Sequence, residues 1–218
     1  MIFANSQQNI ILEEDIDVKT VSLKISGGAD SAIIAYMLCE YITKERPDIK
    51  IIPITTIHSE KPFQEMYSKR IINWLTNKFG NVFGKHYVNI CNGSSDYITA
   101  QERLWKEACV NENIDRNYSG ITANPPKEIT DQHLHNGPAD DRNGKNFPVR
   151  VNNSWRHLSN IDKKGVAELY ETLGVIDTLF PLTRSCEAFE NTLEYNIDKH
   201  CGKCWWCMER HWGFNRYT

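Results

Sequence analysis

The sequence predicts an α/β fold with a doubly wound, mostly parallel sheet and a small cysteine-rich segment at its C-terminal end. Three observations carry this. Short apolar runs alternate with longer amphipathic stretches through the first half of the chain. A Ser-Gly-Gly-Ala-Asp-Ser turn at residues 26 to 31 joins the first apolar run to the first helical pattern. Four of the seven cysteines lie at or beyond Cys186.

Residues 1 to 17 are mixed and acidic and read as a lead-in or a short strand. Lys19 to Ile25 is the first strand. Asp30 to about Arg46 is the first helix, closed by Pro47. Lys50 to Ile57 is a second, buried strand. Lys61 to Phe79 is a helix with Phe63, Tyr67, Ile71, Trp74 and Leu75 on one face. His86 to Cys91 is a third strand, and Ser94-Ser95-Asp96 caps a helix that runs to about Asn113. Tyr118 to Ala123 reads as a fourth strand, ended by Pro125 and Pro126.

The stretch from there to about Asn160 is rich in Asn, Asp, Gly, Pro and His. An irregular segment of that length suits a lid or binding loop, with Arg142, Lys145, Arg150 and Arg156 available to close over phosphates. His133, His135, Asp140 and Asp141 within it read more simply as solvated residues than as a second metal site. Asp162 to Leu173 is an amphipathic helix, with Val166, Leu169, Tyr170 and Leu173 inward and Gly174 as its C-cap. Lys163 and Lys164 stand in its first turn, where the helix dipole disfavours a cation. That conflict suggests phosphate binding, against two solvated lysines.

The turn at 26 to 31 has a chemistry of its own. Gly27 and Gly28 carry no Cβ, so the backbone can turn sharply and approach a ligand closely. Backbone N–H groups then point outward at the positive end of the helix dipole, beside the hydroxyls of Ser26 and Ser31. Such a site suits phosphate, and an extended one suits pyrophosphate. It is not the P-loop of the Walker type, because no lysine follows the second glycine. The plain alternative is a tight turn in which Asp30 and Ser31 only cap the helix.

Cys186 and the run Cys201-Gly202-Lys203-Cys204-Trp205-Trp206-Cys207 offer four thiolates at metal-ligand spacing. A tetrahedral zinc knuckle is the reading preferred here, and an iron–sulfur cluster is the rival. Cys39, Cys91 and Cys109 fall inside predicted elements and read as core.

The net charge of −3 gives no general attraction to nucleic acid. A mean hydropathy of −0.52 and the absence of any apolar run of about 20 residues predict no membrane span. The first residues lack the pattern of a signal peptide, so a cytoplasmic location is expected.

The 26 to 31 turn resembles the S-G-G-x-D-S signature of the PP-loop ATP pyrophosphatases, which have the adenine nucleotide alpha hydrolase-like fold. Thr183-Arg184-Ser185-Cys186, followed by C-G-K-C-W-W-C-M-E-R-H-W-G-F, resembles the C-terminal signature of the 7-cyano-7-deazaguanine (preQ0) synthase family, with Arg210 and Phe214 in register. The resemblance implies an ATP-binding domain over 1–182, with the lid-like loop at about 124–160, and a zinc-binding segment over 183–218. It implies a ligase-type enzyme of queuosine biosynthesis. Such an enzyme adenylates 7-carboxy-7-deazaguanine, releases pyrophosphate, and makes the nitrile or amide with ammonia.

By the same resemblance Ser26, Gly27, Gly28, Asp30 and Ser31 hold ATP, with Asp30 acting through Mg²⁺ and Thr56 and His58 beside the nucleotide. Lys163, or Lys164 in its place, contacts phosphate. Cys186, Cys201, Cys204 and Cys207 hold structural Zn²⁺, and a homodimer is open.

Three departures stand out. The family segment after the second strand ends in Gln, Arg and His, and here Thr55-Thr56-Ile57-His58-Ser59-Glu60 keeps only the histidine. Fourteen residues separate Cys186 from Cys201, and 127–160 reads as an insertion. Two other readings stay open: a sulfur-transfer enzyme of the same superfamily, and a zinc-containing nucleic-acid-binding module that stacks bases on Trp205 and Trp206.

Overall fold

Apolar residues at every second position of Val21, Leu23 and Ile25 meet the apolar faces of three helices, and this places the first long strand at the centre of the molecule. The computed structural model describes residues 1–59, 63–93, 96–130, 149–151, 153–186 and 199–218. In chain order, β1 (Ile2–Phe3) and β2 (Ile10–Ile11) make a short antiparallel ribbon. Then come β3 (Thr20–Lys24), α1 (Ala29–Glu45), β4 (Lys50–His58), α2 (Phe63–Phe79), β5 (Tyr87–Cys91) and α3 (Tyr97–Glu112). They are followed by β6 (Arg116–Tyr118), α4 (Lys127–Thr130), β7 (Arg150–Val151), β8 (Ser154–Trp155) and α5 (Lys163–Thr172). A 3-10 turn at Phe180–Leu182 and α6 (Trp205–Phe214) complete the order.

The sheet order is β5-β4-β3-β6-β8-β7. Every neighbouring pair is parallel except β7 with β8 at the edge. Residue alternation along β4 shows the double winding. Ile51 joins the core shared with α1, α2 and α5, while Ile52 and Ile54 pack with Leu104 and Ala108 of α3 on the other face. The doubly wound parallel sheet expected from the alternating pattern is therefore present. The chain runs outward from β3 to β5 and then returns to place β6 on the other side of β3. That reversal opens a crevice beyond the carboxyl ends of β3 and β6.

Several expected boundaries move for physical reasons. The fourth strand was expected over Tyr118 to Ala123 but is Arg116–Tyr118. A Cβ on Gly120 would fall 2.7 Å from the backbone of Asp30 and Ser31, so beyond Tyr118 the chain leaves the ladder and runs against the glycine turn. The acidic lead-in holds the β1–β2 ribbon, tied to α5 by Asn5 Nδ2 donating to the Gly165 carbonyl at 2.7 Å. Cys39 and Cys91 are buried as expected, whereas Cys109 on α3 is half-exposed and is not core. Most of the irregular loop expected over 124–160 lies outside the described residues, including His133, His135, Asp140, Asp141, Arg142 and Lys145, as do the Ser94 and Ser95 caps. Among the described residues, no helix is long and apolar enough to cross a membrane.

The C-terminal helix shares the main core. Phe214 stacks on Phe180 at 4.1 Å between ring centroids, and Tyr170 of α5 meets both rings edge-on. On the opposite flank, His157 is sandwiched between Tyr118 and Trp155, with ring centroids 5.5 and 5.3 Å away. Burial pushes its imidazole down to about 4, against about 6.5 in an unfolded chain. Between those values the unfolded chain binds the proton and the folded one does not, so this stability is complete above pH ~6.5 and falls as the pH drops toward 4. The loss from this residue should be on the order of 3 kcal/mol. Urea unfolding at neutral and mildly acidic pH should show it, and His157→Phe should make the dependence shallower, leaving the share of His86, whose imidazole burial also pushes down to about 4.

Candidate functional site

The crevice at the strand ends holds a cavity of about 280 Å³. The turn after β3 (Ser26, Gly28, Asp30), the segment after β6 (Gly120, Ile121, Thr122) and the start of α2 (Phe63, Gln64) contribute to its walls. Lys163 comes from the start of α5, Arg184 and Ser185 from the stretch before the cysteines, and Trp205, Trp206 and Glu209 from α6. Two larger hollows, of about 570 and 610 Å³, lie on other flanks and include neither the glycine turn nor Lys163 among their described lining residues.

The glycine turn owes its shape to close packing. Gly27 has φ +86°, a left-handed conformation open to glycine, and a Cβ there would meet the Tyr67 Cβ at 2.7 Å. Gly28 is the N-cap of α1 and, lacking a side chain, offers no capping hydroxyl of its own to the first-turn N–H groups. Ser31 Oγ donates to the Gly28 carbonyl at 3.0 Å and lies 3.4 Å from Ser26 Oγ, so both hydroxyls cluster at the helix start. The Arg184 N–H donates to the Gly27 carbonyl at 2.8 Å, which ties the C-terminal segment to the turn.

Asp30 and Lys163 meet across the cavity. The Lys163 ammonium donates to both Asp30 oxygens, at 2.7 and 2.6 Å, and lies 3.6 Å from a Glu209 oxygen. Burial pulls the ammonium down, but the two carboxylates more than offset it, and Lys163 stays above its ordinary value. Lys163 is 4% exposed. Asp162 is the helix N-cap and accepts from the Lys164 and Gly165 N–H groups, which compensates for a cation in the first turn. Gly213 lets α6 cross at this point, since a Cβ there would sit 2.4 Å from Lys163 Cγ. Lys164 points elsewhere, with its ammonium 4.9 Å from the Trp212 ring centroid.

Other candidates fall outside the cavity. Thr56 and His58 are buried at the end of β4 and are not among its described lining residues. The Thr56 hydroxyl has no hydrogen-bond partner among the described residues, while the His58 N–H donates to Gln64 Oε1 at 2.8 Å. The Arg150 guanidinium lies over the Trp155 ring, and the Arg156 N–H donates to the Val149 carbonyl, so neither described arginine of the expected lid lines the cavity. Sequence reasoning assigned no role to Glu209 or Gly120. The spacing of Trp205, Trp206 and Glu209 at i, i+1 and i+4 could have placed these three on one helical face.

Beside this cavity the ligand atoms of Cys186, Cys201, Cys204 and Cys207 all lie within 4.8 Å of one another. Gly202, at φ +71°, makes the turn that brings them together. The N–H groups of Lys203 and Cys204 donate to Cys201 Sγ at 3.5 and 3.3 Å, and the Cys201 N–H donates to Cys186 Sγ at 3.4 Å. These bonds favour thiolates. Four sulfurs this close oppose one another's ionisation, and a metal cation held among them would relieve that. Arg210, fully buried behind the cluster, donates to Ser185 Oγ, Thr183 Oγ1 and the Phe180 and Tyr217 carbonyls. Burial pushes its guanidinium down to about 10.

Cys204→Ser should abolish stoichiometric metal and destabilise the chain on the order of several kcal/mol, because metal binding is coupled to folding of this segment. Elemental analysis with thermal unfolding checks it, and full metal content in the variant would contradict it.

No protein-family profile matches the chain, and no curated protein matches it. Among solved structures it is similar to the U34-tRNA thiolase NcsA from Methanococcus maripaludis, a structure determined with its 4Fe-4S cluster. The identity is 17%, the TM-score 0.49, and the match covers 73% of this chain. The chain spans 57% of the thiolase's length.

Proposed function

We propose that this chain is an ATP-dependent ligase-type enzyme of the PP-loop superfamily that adenylates a carboxylate and releases pyrophosphate. The observation that carries this reading is the meeting of the glycine turn with the Lys163–Asp30 pair in one cavity at the strand ends. A carboxylate is a poor electrophile, and joining it to nitrogen needs a better leaving group. Attack of its oxygen on the α-phosphorus of ATP breaks the bond to the bridging oxygen and gives an acyl adenylate. The departing pyrophosphate gathers negative charge where the first-turn N–H groups of α1 and the Ser26 and Ser31 hydroxyls can receive it. Lys163 neutralises the phosphates once it exchanges Asp30 for them. Asp30 is the residue suited to hold Mg²⁺, which supplies charge neutralisation to the phosphates when bound.

For the acceptor we favour 7-carboxy-7-deazaguanine, with ammonia as the second substrate and the nitrile or amide as product. This rests on the resemblance of Thr183 to Cys186 and of Cys201 to Phe214 to the 7-cyano-7-deazaguanine synthase signature. For the cysteine site we favour zinc. A tetrahedron with Zn–S of about 2.3 Å sets its sulfurs about 3.8 Å apart. Cys201 and Cys207 already stand at 3.8 Å. A four-iron cluster bonds each thiolate to a different iron and spreads the sulfurs further.

The test is incubation with ATP, Mg²⁺, ammonium and 7-carboxy-7-deazaguanine, followed by chromatography with mass detection. AMP, pyrophosphate and the amide or nitrile are expected. Asp30→Asn should lower AMP formation at least ~10²-fold with metal content unchanged. ADP as the product would overturn the class. AMP without a new base product would retain adenylation and refute the acceptor, and stoichiometric iron in place of zinc would refute the metal.

A further inference from the structure

The wall that α6 contributes to the cavity is aromatic and acidic, which is not what ATP phosphates require. Trp205 and Trp206 lie at i and i+1 and Glu209 at i+4, and all three line the same space as the glycine turn. Trp206 is 39% exposed and Trp205 and Glu209 are buried. Asp30 holds Lys163 through both oxygens at hydrogen-bond distance, whereas the Glu209 contact with that ammonium is purely ionic at 3.6 Å. A carboxylate beside indole rings in a small, partly closed space is chemistry that recognises a cation carrying N–H groups.

Resting on the adenylation reading, we propose that this face binds the nitrogen donor as ammonium, with Glu209 as the group that deprotonates it. Ammonium predominates at neutral pH and has no lone pair with which to attack. The Glu209 carboxylate draws it in and takes one proton, leaving ammonia beside the acyl adenylate. The nitrogen lone pair forms the C–N bond, the carbonyl carbon–oxygen bond to AMP breaks, and AMP departs with that electron pair. A second proton leaves the nitrogen to solvent. The acyl adenylate becomes the amide and Glu209 becomes neutral until it re-ionises.

Hydroxylamine separates the steps, because it is largely uncharged at neutral pH and needs no proton acceptor before it attacks. Wild type, Glu209→Gln and Glu209→Asp are supplied with ATP, Mg²⁺ and 7-carboxy-7-deazaguanine, together with ammonium or hydroxylamine. Amide, hydroxamate and AMP are measured. Glu209→Gln should lose amide formation at least ~10²-fold more than hydroxamate formation. Its amide rate should recover as the pH rises and free ammonia accumulates, and Glu209→Asp should fall between the two. If Glu209→Gln does not fold, Trp206→Ala tests the same face. It should raise KM for ammonium about threefold or more relative to KM for hydroxylamine. Equal losses with both nucleophiles would overturn the assignment and reduce the face to support for Lys163 or the acceptor. Absence of both AMP and hydroxamate in the wild type would instead overturn adenylation of this acceptor, and this proposal with it.

Discussion

One buried cation sets the geometry of the site. The Lys163 ammonium lies out of water at the start of α5, and a charge so placed must be paired and hydrogen-bonded. Asp30 supplies two bonds from the glycine turn and Glu209 an ionic contact from α6. Three elements far apart in sequence are therefore held to one point, and two glycines make their approach feasible. Gly213 lets α6 pass over Lys163, and Gly120 lets the segment after β6 lie against Asp30 and Ser31. A side chain at Gly213 would separate α6 from α5, and one at Gly120 would push the segment after β6 off the glycine turn. Under the proposed adenylation, Glu209 would stay beside Lys163 as Asp30 turned to another cation.

The architecture was legible because its determinants are local. Strand β3, the glycine turn and α1 follow one another without a gap, and each carries its own signal: an apolar run, two residues lacking Cβ, and an apolar helix. The cysteine cluster was legible for the same reason, as Cys201, Cys204 and Cys207 lie close together in sequence with a turn glycine between them. The first-turn lysines of α5 broke a local rule, and the structure shows why Lys163 stands there. Local pattern also separates the two adjacent lysines, since Lys163 continues the buried stripe of Val166, Ala167 and Tyr170 while Lys164 lies on the opposite face. What it does not encode is the partners of that buried ammonium, Asp30 and Glu209, which come from elements far away in sequence. Glu209 escaped notice because a single carboxylate inside a helix has no sequence signature until its neighbours in space are known. Strand β6 ends at Tyr118, five residues short of its expected end, because Gly120, Ile121 and Thr122 line the cavity and do not continue the ladder.

The cysteine cluster and the cavity are mechanically one unit. Cys204 is the N-cap of α6 and Cys207 lies in its first turn, so a metal held by the four thiolates fixes both the position and the rotation of that helix. Rotation matters because Trp205, Trp206 and Glu209 face the cavity while Cys207 and Arg210 face the protein interior. A shift of one residue in register, a turn of about 100°, would bring Cys207 and Arg210 to the places from which Trp206 and Glu209 now face the cavity. Arg210 restrains the rotation from behind, with bonds to four different residues and its guanidinium 3.8 Å from the Phe180 ring centroid. Its charge is tolerated there because the acceptors around it are fixed carbonyls and hydroxyls.

The strap that precedes the cluster completes the coupling. The Arg184 N–H binds the Gly27 carbonyl, and its guanidinium lies over the Phe63 ring at the start of α2. The segment leading to Cys186 thus touches the turn at its most constrained residue, the one glycine of the pair with positive φ. Freedom at the cysteines would pass directly into the backbone expected to cradle phosphate. A metal held by the four cysteines, outside the cavity, would therefore act on the proposed chemistry without touching substrate, by holding the carboxylate face of α6 and the N–H groups of α1 at a fixed separation. Placement of this kind contributes to catalysis through orientation, where displacements of about 1 Å are costly. On this argument the metal belongs to the positioning of the site as much as to the stability of the fold.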